Sequence, residues 1–150
     1  MILTALHRTC LAAALCAGLA VSPAAAADPA DLCYTAARTA AADTGVPLRI
    51  LLALTLTETG RTRKDGTLAA WPWALNKGGE GLWFDSRAAA RAHLETALAE
   101  GVSNVDVGCF QLNHRWHAQA FDSLDAMLDP ETNALYAARF VLRLYQDLGG

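Results

Sequence analysis

The sequence predicts a mainly helical α+β domain of about five helices with one small β-hairpin, and three observations predict it. Apolar residues recur at helical spacing in long stretches toward both ends of the chain. A Gly-rich turn between two Trp-containing runs interrupts them. Charged residues make up 18% of the chain and show no long run, so nothing in the composition argues against a packed core.

The N-terminus is read first because it sets the compartment. Residues 1–8 carry His7 and Arg8, residues 9–21 are rich in Ala and Leu without a formal charge, and Ala24, Ala25, Ala26 and Ala27 follow. That is the pattern of a secretory signal peptide, residues 1–27, with cleavage expected after Ala27. A membrane anchor fits poorly, because the apolar run is shorter than the roughly 20 residues a spanning helix needs and Pro23 interrupts its end. Lipidation at Cys16 is disfavoured by Leu15, which stands where a small residue is needed.

Removing 27 of 150 residues leaves 123, one domain's worth, so residues 28–150 are expected to form a single unit with its own core. Without Arg8, the 12 Lys and Arg fall to 11 against 15 Asp and Glu, a formal charge of −4. No basic cluster is long enough to track a phosphate backbone, which argues against nucleic acid as a partner. Cys10 and Cys16 leave with the leader, and the two remaining thiols, Cys33 and Cys109, are expected to pair in an oxidising compartment. Two separately buried thiols are the alternative.

Asp28-Pro29 reads as a cap and first turn of a helix whose apolar positions Leu32, Cys33, Ala36, Ala37 and Ala40 run to Gly45. A second helix starts at Pro47 and runs through Leu48, Ile50, Leu51, Leu52, Leu54 and Leu56 to Glu58. It is apolar on nearly every face, which predicts burial all round. Residues 61–66 are polar and read as a loop; Trp71–Asn76 and Leu82–Phe84 flank the turn Lys77–Gly81 as a hairpin. Ser86 caps a third helix through Leu98, residues 101–107 read as a loop, and the short apolar segment 109–116 has no assignable type. Asp129-Pro130 caps the last helix, with Leu135, Tyr136, Phe140, Val141, Leu144, Tyr145 and Leu148 as its apolar stripe.

Glu58 is the residue most suited to chemistry. A carboxyl at the end of an apolar helix is costly to ionise, and its proton can be given to a leaving glycosidic oxygen. On the helix alone, a solvated C-terminal Glu is the plainer reading. The ordered set reverses that preference. Residues 52–60 (Leu-Ala-Leu-Thr-Leu-Thr-Glu-Thr-Gly), residues 106–113 (Asp-Val-Gly-Cys-Phe-Gln-Leu-Asn) and residues 133–138 (Asn-Ala-Leu-Tyr-Ala-Ala) together resemble the lytic transglycosylase (SLT) domain of the lysozyme-like superfamily. The resemblance spans roughly residues 44–148, with Thr59 standing where that family usually has Ser.

The resemblance implies a lysozyme-like fold and a role for each matched residue. Glu58 would protonate the bond between N-acetylmuramic acid and N-acetylglucosamine, then deprotonate the muramoyl C6 hydroxyl, leaving a 1,6-anhydromuramoyl end. Thr59, Gly108, Phe110, Gln111, Asn113 and Tyr136 would line the sugar groove, with Gly108 letting the sugar approach the backbone. The alternative for Gln111 is a residue satisfying buried backbone groups. Neither metal nor organic cofactor is implied. The implied partner is the peptidoglycan glycan strand in the periplasm, with a secretion or conjugation apparatus as the machine such small enzymes often serve. The family usually continues past its last helix into an Ala-Tyr-Asn segment, so a C-terminal truncation is expected, or else a phenol supplied by Tyr136 or Tyr145.

Residues 104–116 also resemble the groove strand of animal lysozymes, in which an Asp stands two residues before the Gly. Asp106 holds that position, and in a retaining muramidase it would be the nucleophile or charge stabiliser. A solvent-facing loop residue is its plain reading. Trp71, Trp73, Trp83, Phe84 and Trp116 are suited to stacking on sugar rings, with core packing as the competing reading and the two about equal for the Trp71-Pro72-Trp73 ribbon. His114 and His117 straddle Trp116, but no further ligand spacing accompanies them, so groove or surface polarity is preferred to a metal site. A glycan-binding module without turnover is the remaining alternative.

Overall fold

In a computed structural model, which describes residues 28–63 and 65–150, Asp28 accepts a hydrogen bond from the Ala30 amide at 2.9 Å and opens α1 (Pro29–Thr44). Gly45 closes α1 at φ 77°, the left-handed conformation that favours glycine. The signal peptide expected over residues 1–27 lies outside the described residues. No helix among the described residues is long and apolar enough to cross a membrane.

The last helix, α6 (Pro130–Asp147), is capped as expected by Asp129, and its contact with α1 is the most extensive between any two elements. Sequence explains why. α1 buries Ala30, Cys33, Ala36, Ala37 and Ala40, while α6 buries Asn133, Ala134, Ala137 and Ala138. Side chains this short let two helix backbones approach closely.

The helix α2 (Leu48–Thr59) departs from expectation. Only Leu51, Thr55 and Thr59 are buried, one stripe at i, i+4, i+8. Ile50 stays 40% exposed, and beside it on α6 Leu144 and Tyr145 are exposed too. A nearly continuous apolar sequence predicts a helix covered on all sides, but this domain covers one stripe fully and leaves Leu48, Leu52 and Leu54 only partly buried beside it. The two β-branched threonines in that stripe hydrogen-bond where leucine would pack.

The hairpin expected around the Gly-rich turn is present as β3 (Ala74–Lys77) and β4 (Glu80–Trp83), joined by Gly78 and Gly79 at φ 65° and 91°. It is half of a larger sheet. β5 (Val105–Val107) lies within the segment expected as a loop and pairs with β3. β6 (Leu112–Asn113) pairs with β5, giving the antiparallel order β4-β3-β5-β6. A second, two-stranded ribbon, β1 (Arg61–Thr62) with β2 (Leu68–Ala69), replaces part of the other expected loop. The unforeseen strands β1, β2, β5 and β6 were hidden because each is two or three residues long, too short for alternation to show.

Six α-helices are present among the described residues. α3 (Arg87–Ala99) is capped by Ser86 as expected, but α4 (His114–His117) and α5 (Leu124–Leu128), with a 3₁₀ turn between them (Ala118–Ala120), were not foreseen.

Three helices converge on residues 107–111. Cys33 of α1 is disulfide-bonded to Cys109, 76 residues away, as the compartment argument expected. Thr55 of α2 donates its hydroxyl to the Cys109 carbonyl at 2.8 Å. Asn133 of α6, fully buried, accepts from the Phe110 amide at 3.0 Å and donates to the carbonyls of Val107 and Met127 at 3.1 and 2.9 Å. Asn133→Ala is expected to lower the unfolding free energy by about 2–4 kcal/mol, since it orphans three buried backbone groups. Urea denaturation would measure it, and a loss under about 0.5 kcal/mol would mean that water or other groups replace the amide.

Candidate active site

The stripe Leu51, Thr55, Thr59 faces inward, so Glu58, one residue before the end of α2, is turned sideways onto the rim of a groove. The end of that helix is tied to the β side of the molecule. Thr59 donates to the Thr55 carbonyl at 2.9 Å and accepts from the Trp71 amide at 3.1 Å. The Trp83 indole N–H donates to the Thr59 carbonyl at 3.2 Å. Thr59 is therefore buried and spent on structure rather than lining a sugar groove, which corrects the expectation for it.

The register of the sheet builds the groove floor. Leu82, Leu75, Val107 and Leu112 stand opposite one another across the four strands and form an apolar row toward the core. The adjacent row, Gly81, Asn76, Asp106 and Asn113, falls on the opposite face. Asp106 is thus a sheet residue and not the loop residue of the plain reading. Asn113 donates through Nδ2 to the Asp106 carboxylate at 2.8 Å and to Asn104 Oδ1 at 2.9 Å. Its own Oδ1 accepts from the Arg115 amide and caps α4.

Glu58, Phe110, Gln111, Asn113 and His117 line one groove of about 290 Å³, walled on the far side by Ala137, Phe140, Val141 and Leu144 of α6. The groove is open, and Glu58 is exposed, not covered as burial of α2 all round would have it. Even so, its carboxyl pKa is raised above the ordinary glutamate value, first by partial burial against the groove wall and second by the negative charge of Asp106. That second contribution places Asp106 within electrostatic reach of Glu58.

Gln111 occupies a left-handed backbone position at φ 45°, which a non-glycine residue adopts only when held there. Its side chain does the holding: Nε2 donates to the carbonyls of Gly108 at 3.0 Å and Ala74 at 3.2 Å. Both readings of Gln111 are therefore present in one side chain. The amide nitrogen satisfies backbone, and no hydrogen bond among the described residues takes the amide oxygen, which suits it to accept from a ligand.

Gly108 is not an approach point for sugar. It is buried with φ 78°, and a Cβ there would stand 2.8 Å from Asn133 Nδ2, so the space above it belongs to Asn133. Tyr136 does not line the groove directly either. Its hydroxyl shares a hydrogen bond of 2.9 Å with His117 Nδ1, and His117 lines the groove in its place. The His117 pKa is lowered, first by burial and then by Arg143, which favours the neutral imidazole at neutral pH. Sequence reasoning passed over His117 as polarity. The available signal was Asn113 as a helix cap, which would have placed His117 in the last position of a short helix.

The five aromatic candidates separate. Trp71 is half-buried, donates its indole N–H to the Phe84 carbonyl at 2.7 Å, and carries Arg61 over its ring at 4.4 Å. Trp73 and Phe84 pack against the core. Trp83 and Trp116 remain exposed, at 45% and 65%. A second hollow, between Leu32 of α1, Trp73 and Pro130 of α6, has its Arg87 and Asp129 paired to each other at 3.5 Å. Asp129 also caps α6.

Comparisons with models of known protein families, with curated proteins and with solved structures found no match to this chain. The groove is therefore read from its own residues.

Because the Glu58 pKa is raised in the fold, the stability linked to it is complete below the ordinary glutamate pKa and is lost as pH rises through the raised value. Glu58→Gln is expected to match or exceed the wild-type Tm at neutral pH, with the difference vanishing below about pH 4. Asp106→Asn is expected to move the Glu58 titration, followed by carboxyl NMR, to lower pH. A titration that did not move would show that the two carboxyls do not sense each other.

Proposed function

We propose that this chain is a peptidoglycan lytic transglycosylase that cleaves the MurNAc-GlcNAc β-1,4 bond, with Glu58 as its acid and base. One observation carries the reading: a carboxyl with a raised pKa shares a groove with Gln111 and Asn113, and Asn113 is hydrogen-bonded to Asp106, whose charge Glu58 senses.

In the reaction, protonated Glu58 gives its proton to the glycosidic oxygen as the C1–O4 bond breaks. The muramoyl C6 hydroxyl then closes on C1, its proton returns to the Glu58 carboxylate, and the catalyst is regenerated with a 1,6-anhydroMurNAc end as product. Attack from within the same sugar replaces a water nucleophile by proximity. Asp106 supports a cationic C1 electrostatically and keeps Glu58 protonated before the bond breaks. Gln111 is suited to accept from an N-acetyl N–H or a hydroxyl through its free oxygen. No step calls on a metal or organic cofactor.

Export to the periplasm with cleavage near Ala27 suits both the disulfide and a cell-wall substrate. Opening the wall for a secretion or conjugation apparatus is the cellular role that fits so small an enzyme.

The second reading, a retaining muramidase with Asp106 as nucleophile or stabiliser, is favoured by the electrostatic reach of Asp106 to Glu58. Digestion of purified peptidoglycan followed by mass spectrometry separates them. Anhydro-muropeptides are expected, and reducing ends with one added water would select the muramidase. Glu58→Gln should abolish either product, with activity down by at least about 10³-fold. Full activity in that variant would remove both enzyme readings, and sacculi bound but left intact by the wild type would select a binding module.

A further inference from the structure

Trp83, like Trp116, is an exposed aromatic that the groove chemistry leaves unused, but its ring is held by a hydrogen bond to the residue next to Glu58. We infer that Trp83 forms a second sugar subsite, on the β4 side of Glu58, that takes one pyranose ring of the glycan strand on its open face. This deepens the proposed function and rests on it.

The sheet register fixes which face the indole occupies. A Cβ built on Gly81 would meet the Trp83 ring at 2.8 Å from Cη2 and 3.2 Å from Cζ3. The ring therefore lies over Gly81, on the face toward which a side chain at 81 would point. Gly81 is cross-strand from Asn76, and Asn76 from Asp106, so the ring lies on the sheet face that carries Asp106, whose charge Glu58 senses. On the core-facing side, by contrast, the same strands carry leucine and valine.

The other side of the ring is anchored. Its N–H donates to the carbonyl of Thr59, the residue next to Glu58. Indole orientation is thus set at two points, the glycine beneath and the helix end beside it, while 45% of the residue stays open to solvent. A large aromatic held rigidly yet left exposed suits stacking, because little side-chain entropy remains to be lost when a ring settles on it.

The Gln111–His117 groove lies on the β6 and α4 side of Glu58, and Trp83 is not among its lining residues. Trp83 stands at the opposite edge of the sheet. Gly81 and Asp106 are separated by two interstrand spacings, roughly 10 Å, which leaves room for a sugar to either side of the cleaved bond. A carboxyl with binding surface on both sides is suited to bonds within a strand, whereas a single blind pocket is suited to chain ends.

The test uses Glu58→Gln as parent, so that ligand persists, with chito-oligosaccharides of two to six sugars and intact sacculi as probes. Trp83→Ala is expected to raise the Kd of the longer oligosaccharides about tenfold by calorimetry and to leave the disaccharide nearly unchanged. Trp83→Phe keeps a ring and should stay within about threefold of the parent. Gly81→Ala retains the tryptophan but pushes its ring off the floor, and should lose affinity as Trp83→Ala does, which carries the test if that variant folds poorly.

Unchanged Kd in both Trp83→Ala and Gly81→Ala would overturn the subsite, even where the wild-type protein digests sacculi. A parent that binds neither probe would overturn it as well. Conversely, Trp83-dependent binding by a protein whose wild type leaves sacculi intact would keep the subsite and remove the cleavage reading.

Discussion

The structure depends on holding one short turn, residues 107–111, from three helices at once. Such a turn carries backbone groups that neither strand nor helix satisfies, and buried without partners each would cost about 1–3 kcal/mol. Here the groups are taken by side chains: Asn133 from α6, Thr55 from α2 and Gln111 from the turn itself. The Cys33–Cys109 bridge adds a covalent tie to α1. Because Asp106 immediately precedes the turn and Gln111 ends it, the hydrogen bonds that stabilise the fold also set the distance between the groove floor and Glu58. Gly108 is glycine for the same reason, since a Cβ would displace the amide that holds its neighbours.

The end of α2 concentrates unfavourable electrostatics in one place. Glu58 sits near the negative end of a helix dipole, partly desolvated and within reach of the Asp106 charge, and all three disfavour ionisation. The surroundings oppose this only in part: the Thr59 carbonyl is hydrogen-bonded by Trp83, which removes one exposed negative end of the helix. No salt bridge among the described residues involves Glu58. A carboxyl placed without a counter-charge beside a second carboxyl is a poor choice for stability and a good one for proton donation.

How much was legible in the sequence follows from the length scale of each signal. Helices α1 and α6 could be read to within a residue or two because caps, prolines and a terminal glycine punctuate a dozen or more residues of pattern. The hairpin turn was legible from Gly78-Gly79. Strands of two or three residues carry no period, so β5 and β6 passed for loop and undefined segment, and with them the fact that Asp106 lies on a sheet face. Glu58 and Gln111 were found in an ordered set with Asn133 and Tyr136, and the fold brings Glu58 and Gln111 to one groove. Asp106, read from a second resemblance, lies where Glu58 senses its charge. The roles of Thr59, Gly108 and Tyr136 were misjudged because a motif marks which positions are constrained without saying by what. The constraint at 59 and 108 is backbone packing, and at 136 it is the orientation of His117.

The openness of the groove bears on how an intramolecular attack could prevail over water. Glu58 is exposed and the walls do not close over it, so nothing in the protein alone excludes solvent from a sugar carbon beside it. In the transglycosylase reading, the exclusion must come from the substrate. A glycan strand laid along the floor from Asn113 past Asp106 toward Trp83 would cover the carboxyl with its own rings, and desolvation would rise on binding. That coupling would raise the Glu58 pKa further when sugar is present, which keeps the proton on the acid until the bond to be broken is in place. In that reading an open groove would make proton delivery conditional on occupancy: the free protein would tolerate an exposed carboxyl at modest cost, and the filled groove would supply the low-dielectric setting that proton transfer to a sugar oxygen needs.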